Sequence, residues 1–84
     1  MGILFENEAW DDLTDMLGDK RYVKKFASLL KDIQRNGNTG IGKPEPLKGN
    51  LSGYWSRRID EYNRLVYTIK DDDTIIISCK GHYE

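Results

Sequence analysis

A chain of 84 residues has room for one hydrophobic core and little else, and its formal net charge of −1 is close to neutral. A single Cys and a single His exclude an internal disulfide framework and leave too few soft ligands for a structural zinc site. No apolar run reaches membrane-spanning length and no signal-peptide pattern opens the chain, so a cytoplasmic protein without a membrane or cofactor is expected. The charge is segregated along the chain. Residues 1–19 carry −6, residues 20–70 carry +8 and residues 71–84 carry −3. A basic middle between acidic ends fits a polyanionic partner; it fits equally well a set of solvated helix faces sorted by sign.

Ile3-Leu4-Phe5 suits a first strand. Asn7 reads as the N-cap of a helix whose stripe is Trp10, Leu13 and Leu17, with Met16 beside it and Gly18 at its end. Asp19 then caps a second helix, with an apolar face of Val23, Phe26, Ala27, Leu30 and Ile33. Its other side carries Lys20, Arg21, Lys24, Lys25, Lys31 and Arg35, and Asn36-Gly37 stops it. From Asn36 to Gly53 the chain holds both prolines and most of the glycines. It reads as an ordered loop anchored by Leu47 and Leu51. Strands follow at Tyr54–Ile59, Leu65–Ile69 and Thr74–Cys79, with turns at Asp60–Asn63 and Asp71–Asp73. Short turns imply an antiparallel meander. The expected class is therefore α+β, with a short N-terminal strand and two helices packed on one face of a mainly antiparallel sheet, as a single domain over residues 1–84.

The candidate chemistry is sparse. No phosphate-cradling glycine motif is present, and three consecutive acids at 71–73 read as a solvated hairpin turn rather than a metal cluster. Cys79 alternates with Ile75 and Ile77 and reads as a core or edge residue. Glu45 lies between Pro44 and Pro46, which bias it towards an extended conformation. A stiffened carboxylate suits a general base; the plain alternative is a Glu in a surface turn. His82 is the one side chain suited to giving and taking protons near neutral pH, although a lone surface His usually has no such task. Arg58 and Arg64 face one another across the first hairpin if the strands pair as read, and alternation sends Arg57 to the opposite face. A bound phosphate would relieve their repulsion, and Lys43 and Lys48 add charge nearby. A carboxylate, an imidazole and an arginine are what RNA cleavage through the ribose 2′-OH requires.

The strings "IGKPEPLKGNLSGYWSRRIDEYNRLVYTI" and "CKGHY", together with "DKRYVKK" and Trp10, resemble the YoeB/Txe toxins of bacterial toxin–antitoxin modules, within the wider RelE/ParE superfamily. The resemblance spans nearly the whole chain. It implies a RelE-like fold, similar to small microbial ribonucleases, and a ribosome-dependent, metal-independent endoribonuclease that cuts mRNA in the A site and stops translation. It places the general base on Glu45, the general acid on His82 and the transition-state arginine on Arg64. Phosphate contacts fall on Lys48 and Arg58, Arg57 and Lys43 are expected in the same substrate- and phosphate-binding set, and Tyr83 belongs to the catalytic end. The basic helix residues Lys20, Arg21, Lys24, Lys25, Lys31 and Arg35 would face ribosomal RNA. The implied partners are a YefM-type antitoxin, the ribosome with its mRNA, and a second copy in a homodimer. Gly81 stands where the family often has a larger residue, and Glu84 extends beyond Tyr83. Two other readings stand beside the nuclease: a non-catalytic inhibitor acting by binding, as ParE-like relatives act on DNA gyrase, and a plain RNA-binding module.

Overall fold

The computed structural model describes residues 2–81. Its elements are β1 (Ile3–Phe5), α1 (Asn7–Asp15), α2 (Lys20–Asn36), β2 (Glu45–Pro46), a single 3-10 turn (Gly49–Leu51), β3 (Trp55–Arg58), β4 (Arg64–Lys70) and β5 (Asp73–Ser78). The strands form one five-stranded sheet in the order β1-β5-β4-β3-β2. β2, β3, β4 and β5 pair antiparallel in succession, and β1 returns to lie parallel to β5. Among the described residues, no helix is long and apolar enough to cross a membrane.

Local chemistry accounts for most boundaries. The Asp19 carboxylate accepts the backbone N–H of Tyr22 at 3.0 Å, so α2 starts on a side-chain cap. Gly37 ends it with φ 68° and returns its N–H to the Ile33 carbonyl at 2.8 Å. The β4–β5 turn places Asp71 and Asp72 at φ 53° and 67° between the paired Lys70 and Asp73. Positive φ at both central residues is the backbone twist a two-residue hairpin needs, and aspartate tolerates it. At the preceding turn, the Asp60 side chain accepts the N–H groups of Tyr62 and Asn63, both at 2.8 Å.

The core lies between the helices and one sheet face, where Leu65, Tyr67 and Ile76 meet Ala9 of α1 and Tyr22, Phe26, Leu29 and Ile33 of α2. Both helix faces are rotated from the sequence expectation. On α2 the buried row is 22-26-29-33, and Ala27 is exposed. Tyr22 is drawn inward because its ring stacks on Phe26, with centroids 5.9 Å apart, and its hydroxyl donates to the Cys79 carbonyl at 2.5 Å. On α1, Glu6 rather than Asn7 is the N-cap, and the helix closes at Met16 before Gly18. Ala9, Leu13 and Met16 turn inward, whereas Leu17 is exposed. Trp10, 55% exposed, packs its edge on Phe5 at 5.9 Å instead of entering the core.

Candidate active site

β2 is two residues long, and no sequence pattern separates it from the loop. The flanking prolines leave Glu45 extended, and an extended residue can join a sheet edge. Glu45 pairs with Ser56, which in turn pairs with Val66. Side chains of directly paired residues share a face, so Glu45 stands on the side of the sheet away from α2. Its side chain is 61% exposed, and Oε1 lies 3.9 Å from a guanidinium nitrogen of Arg64. That contact is loose, with room for a ligand to compete for the arginine.

Arg58 is the ladder partner of Arg64 across the β3–β4 hairpin, so two cations stand opposite one another beside one carboxylate. The C-terminal segment is led to the same place. The Arg64 N–H donates to the Gly81 carbonyl at 3.0 Å, and the Gly81 N–H donates to Oδ1 of Asn63 at 3.0 Å. Two residues earlier, Asp12 Oδ2 accepts the Cys79 N–H at 3.0 Å. Burial pushes the Cys79 thiol up to about 11, so it stays protonated at neutral pH. His82 and Tyr83, the expected acid and its neighbour, lie outside the described residues.

Arg57 does not join this group. It is completely buried on the helix side, and all five of its N–H donors are used inside the protein. Nη1 donates to Asp32 Oδ2 at 2.5 Å and to the Ile41 carbonyl at 3.0 Å. Nη2 donates to the Gly37 and Thr39 carbonyls at 2.7 and 3.0 Å, and Nε to the Tyr67 hydroxyl at 3.2 Å. Strand alternation predicts its direction; a phosphate-binding role does not fit a guanidinium with no donor left. Lys43 and Lys48 are exposed, Lys43 with φ 52° before Pro44 and Lys48 at the start of the 3-10 turn.

On α2, Lys20, Arg21, Lys24, Lys31 and Arg35 are exposed and Lys25 is half-buried. Lys25 lines a groove with Gly42, Lys43 and Arg58, along with Asp60 and Glu61, so the basic helix meets the arginine end of the sheet. Sequence patterns do not single out Asp32, Asn63, Tyr22 and Asp12, which hold the loop and the C-terminal segment in place. Asp32 does carry a signal: it is the one acid in a helix of seventeen residues that otherwise bears only cations.

A family model for the YoeB-like toxin of bacterial type II toxin–antitoxin system matches residues 5–83. The chain is 54% identical to "Toxin YoeB" of Synechocystis sp. over 85 aligned positions, covering 100% of this chain and 99% of that protein. Among solved structures, a YoeB–YefM complex from Staphylococcus aureus aligns with a TM-score of 0.90 at 52% identity, covering 96% of this chain and 95% of that one. A YoeB dimer from the same organism aligns with a TM-score of 0.92 at 52% identity, covering 99% and 98%.

Proposed function

The chain belongs to the YoeB-like toxins of bacterial type II toxin–antitoxin systems, and from that premise we propose that it is an endoribonuclease cutting mRNA within the ribosomal A site. The observation that carries this reading is the placement of Glu45 3.9 Å from Arg64, on a face shared with Arg58, where the backbone of Arg64 also holds Gly81, the residue before His82. Glu45 removes the proton of the ribose 2′-OH as that oxygen attacks the adjacent phosphorus. Arg64, with Arg58, offsets the charge that builds on the pentacoordinate phosphorane. His82 gives a proton to the departing 5′-oxygen, with Tyr83 at the same end. The products are a 2′,3′-cyclic phosphate and a 5′-OH. These side chains supply each proton and charge the reaction needs, and no step is assigned to a metal. Lys43 and Lys48 attract the RNA backbone.

Residues 1–84 act as one toxin domain. Because the S. aureus relatives occur as a complex with YefM and as a dimer, the partners assigned here are a YefM-type antitoxin and a second copy. The ribosome and its mRNA place the protein in the cytoplasm, with the α2 cations on ribosomal RNA.

The test is cell-free translation of a defined message with cleavage mapped by primer extension. Wild-type protein cuts at A-site codons. Glu45→Gln and His82→Gln each lower the rate by about 100-fold or more while leaving the fold intact. Inhibited translation with an uncut message would instead assign the protein to the inhibitors that act by binding.

A further inference from the structure

We infer that the pair of buried Arg57 and half-buried Asp32 is a positioning device for the Glu45 loop. This rests on the proposed role of Glu45. Between the end of α2 and β2 the chain has no regular structure of its own, and Arg57 replaces it. One guanidinium gathers the carbonyls of Gly37, Thr39 and Ile41, and Asp32 Oδ2 accepts the Ile41 N–H at 3.1 Å as well as an N–H of Arg57 Nη1. The loop lies hard against the pair: a Cβ on Gly40, at φ 131°, would sit 1.9 Å from Asp32 Oδ2. The loop exit is then tied to β3 by the Arg58 N–H, which donates to the Gly42 carbonyl at 2.7 Å. Three residues later comes Glu45, and beyond it the Leu47 N–H donates to the Tyr54 carbonyl at 2.9 Å. Glu45, paired with Ser56 at the sheet edge, is thus flanked by two further anchors, and the loop leading to the first is held by Arg57 and Asp32.

Stability alone is a poor reason for such a pair, because well-packed apolar residues often replace a buried ion pair at no cost. What apolar residues cannot do is hold three loop carbonyls in fixed directions. A base displaced by about 1 Å can lose roughly 100-fold in rate, so a fixed loop has a direct bearing on catalysis.

The experiment uses the double variant Arg57→Met with Asp32→Leu in the full chain, followed by melting temperature, steady-state cleavage on translating ribosomes and amide hydrogen exchange. The expected result is a folded protein melting near the wild type, with kcat lower by roughly 10- to 100-fold and KM for ribosomes little changed. Exchange rises at the amides of residues 38–47, while α2 and β4 stay protected. In a Glu45→Gln background the double change causes no further loss. A folded double variant with wild-type kcat, or an equal loss in both backgrounds, overturns the inference. If the double variant does not fold, Asp32→Asn, which keeps the shape and leaves Arg57 without its counter-charge, is read by the rate loss in the two backgrounds and by hydrogen exchange alone, because it also lowers the melting temperature. Wild-type cleavage by Glu45→Gln alone is a separate failure that removes the base role, and hydrogen exchange still reports whether the pair holds the loop.

Discussion

Asp32 sets a pH dependence that belongs to one residue. The hydrogen bond from Arg57 holds its carboxyl below the usual carboxylate range, against an opposing effect of burial, and Asn36 and the Ile41 amide add to the lowering. A carboxyl with a depressed folded-state pKa contributes stability that is fully present above its unfolded value, about 3.9, and is lost as pH falls towards the folded one. The melting temperature is therefore expected to hold through mildly acidic pH and to drop below about pH 4. The Arg57→Met, Asp32→Leu variant is expected to show a shallower acid limb, measured by thermal melts across that range. A wild-type and variant pair with parallel acid limbs would mean that other carboxylates dominate. The same residue shows what single-residue reading misses. Arg57 and Arg58 are adjacent identical letters, and alternation separates their directions. The acceptors awaiting Arg57 come from positions 32 to 41 and from Tyr67, which no local pattern ties to position 57.

At the scale of elements, α2 separates local from long-range information. Its cap at Asp19 and its stop at Gly37 follow from residues within one turn, and both were legible in the sequence. The strands were legible to within a residue or so, because β-branched and aromatic runs between turn residues are local signals too. The phase of the helix was not. Rows 22-26-29-33 and 23-26-30-33 are both apolar at helical spacing. The choice between them depends on a carbonyl 57 positions away that accepts the Tyr22 hydroxyl. The difference has a measurable consequence. Leu29→Ala, at a fully buried position, is expected to cost about 2–5 kcal/mol by denaturant unfolding. Ala27→Ser, on the exposed side, should stay within about 0.5 kcal/mol. The reverse ranking would restore the face read from the sequence. β2 is the converse case. The prolines announced its extended backbone, but its pairing with Trp55 and Ser56 could only come from the fold.

Across the whole molecule, the charge blocks of the sequence become surfaces. The cations of α2 are almost all exposed and run towards the groove at Lys43 and Arg58, while the acids of residues 6–19 lie on α1, at its N-cap and in the segment that follows it. Lys24→Glu with Lys25→Glu is expected to weaken ribosome association. It should also lower the salt slope of binding by about one unit for each phosphate that the variant no longer neutralises, as read by sedimentation at several salt concentrations. Unchanged binding would return the stripe to simple solvation. Of the candidate site, the sequence offers residue types and no geometry: Glu45 and Arg64 are nineteen positions apart in sequence and meet only because β3 lies between their strands.

The parallel pairing of β1 with β5 governs how the molecule comes into being. Ile3, Leu4 and Phe5 precede every other strand of the sheet, yet their partners Thr74, Ile75 and Ile76 follow 71 positions later. Closing so long a loop is entropically costly, and folds dominated by such distant contacts form slowly. A nascent chain that has released β1, both helices and even β4 still lacks the strand that joins the first to the last of these in the sheet. The helices have no completed surface to pack on until Ile76 arrives beside Leu65 and Tyr67. The ladder that aligns Glu45 with Arg64 needs only β2, β3 and β4, but the core beneath it closes only once β5 is in place.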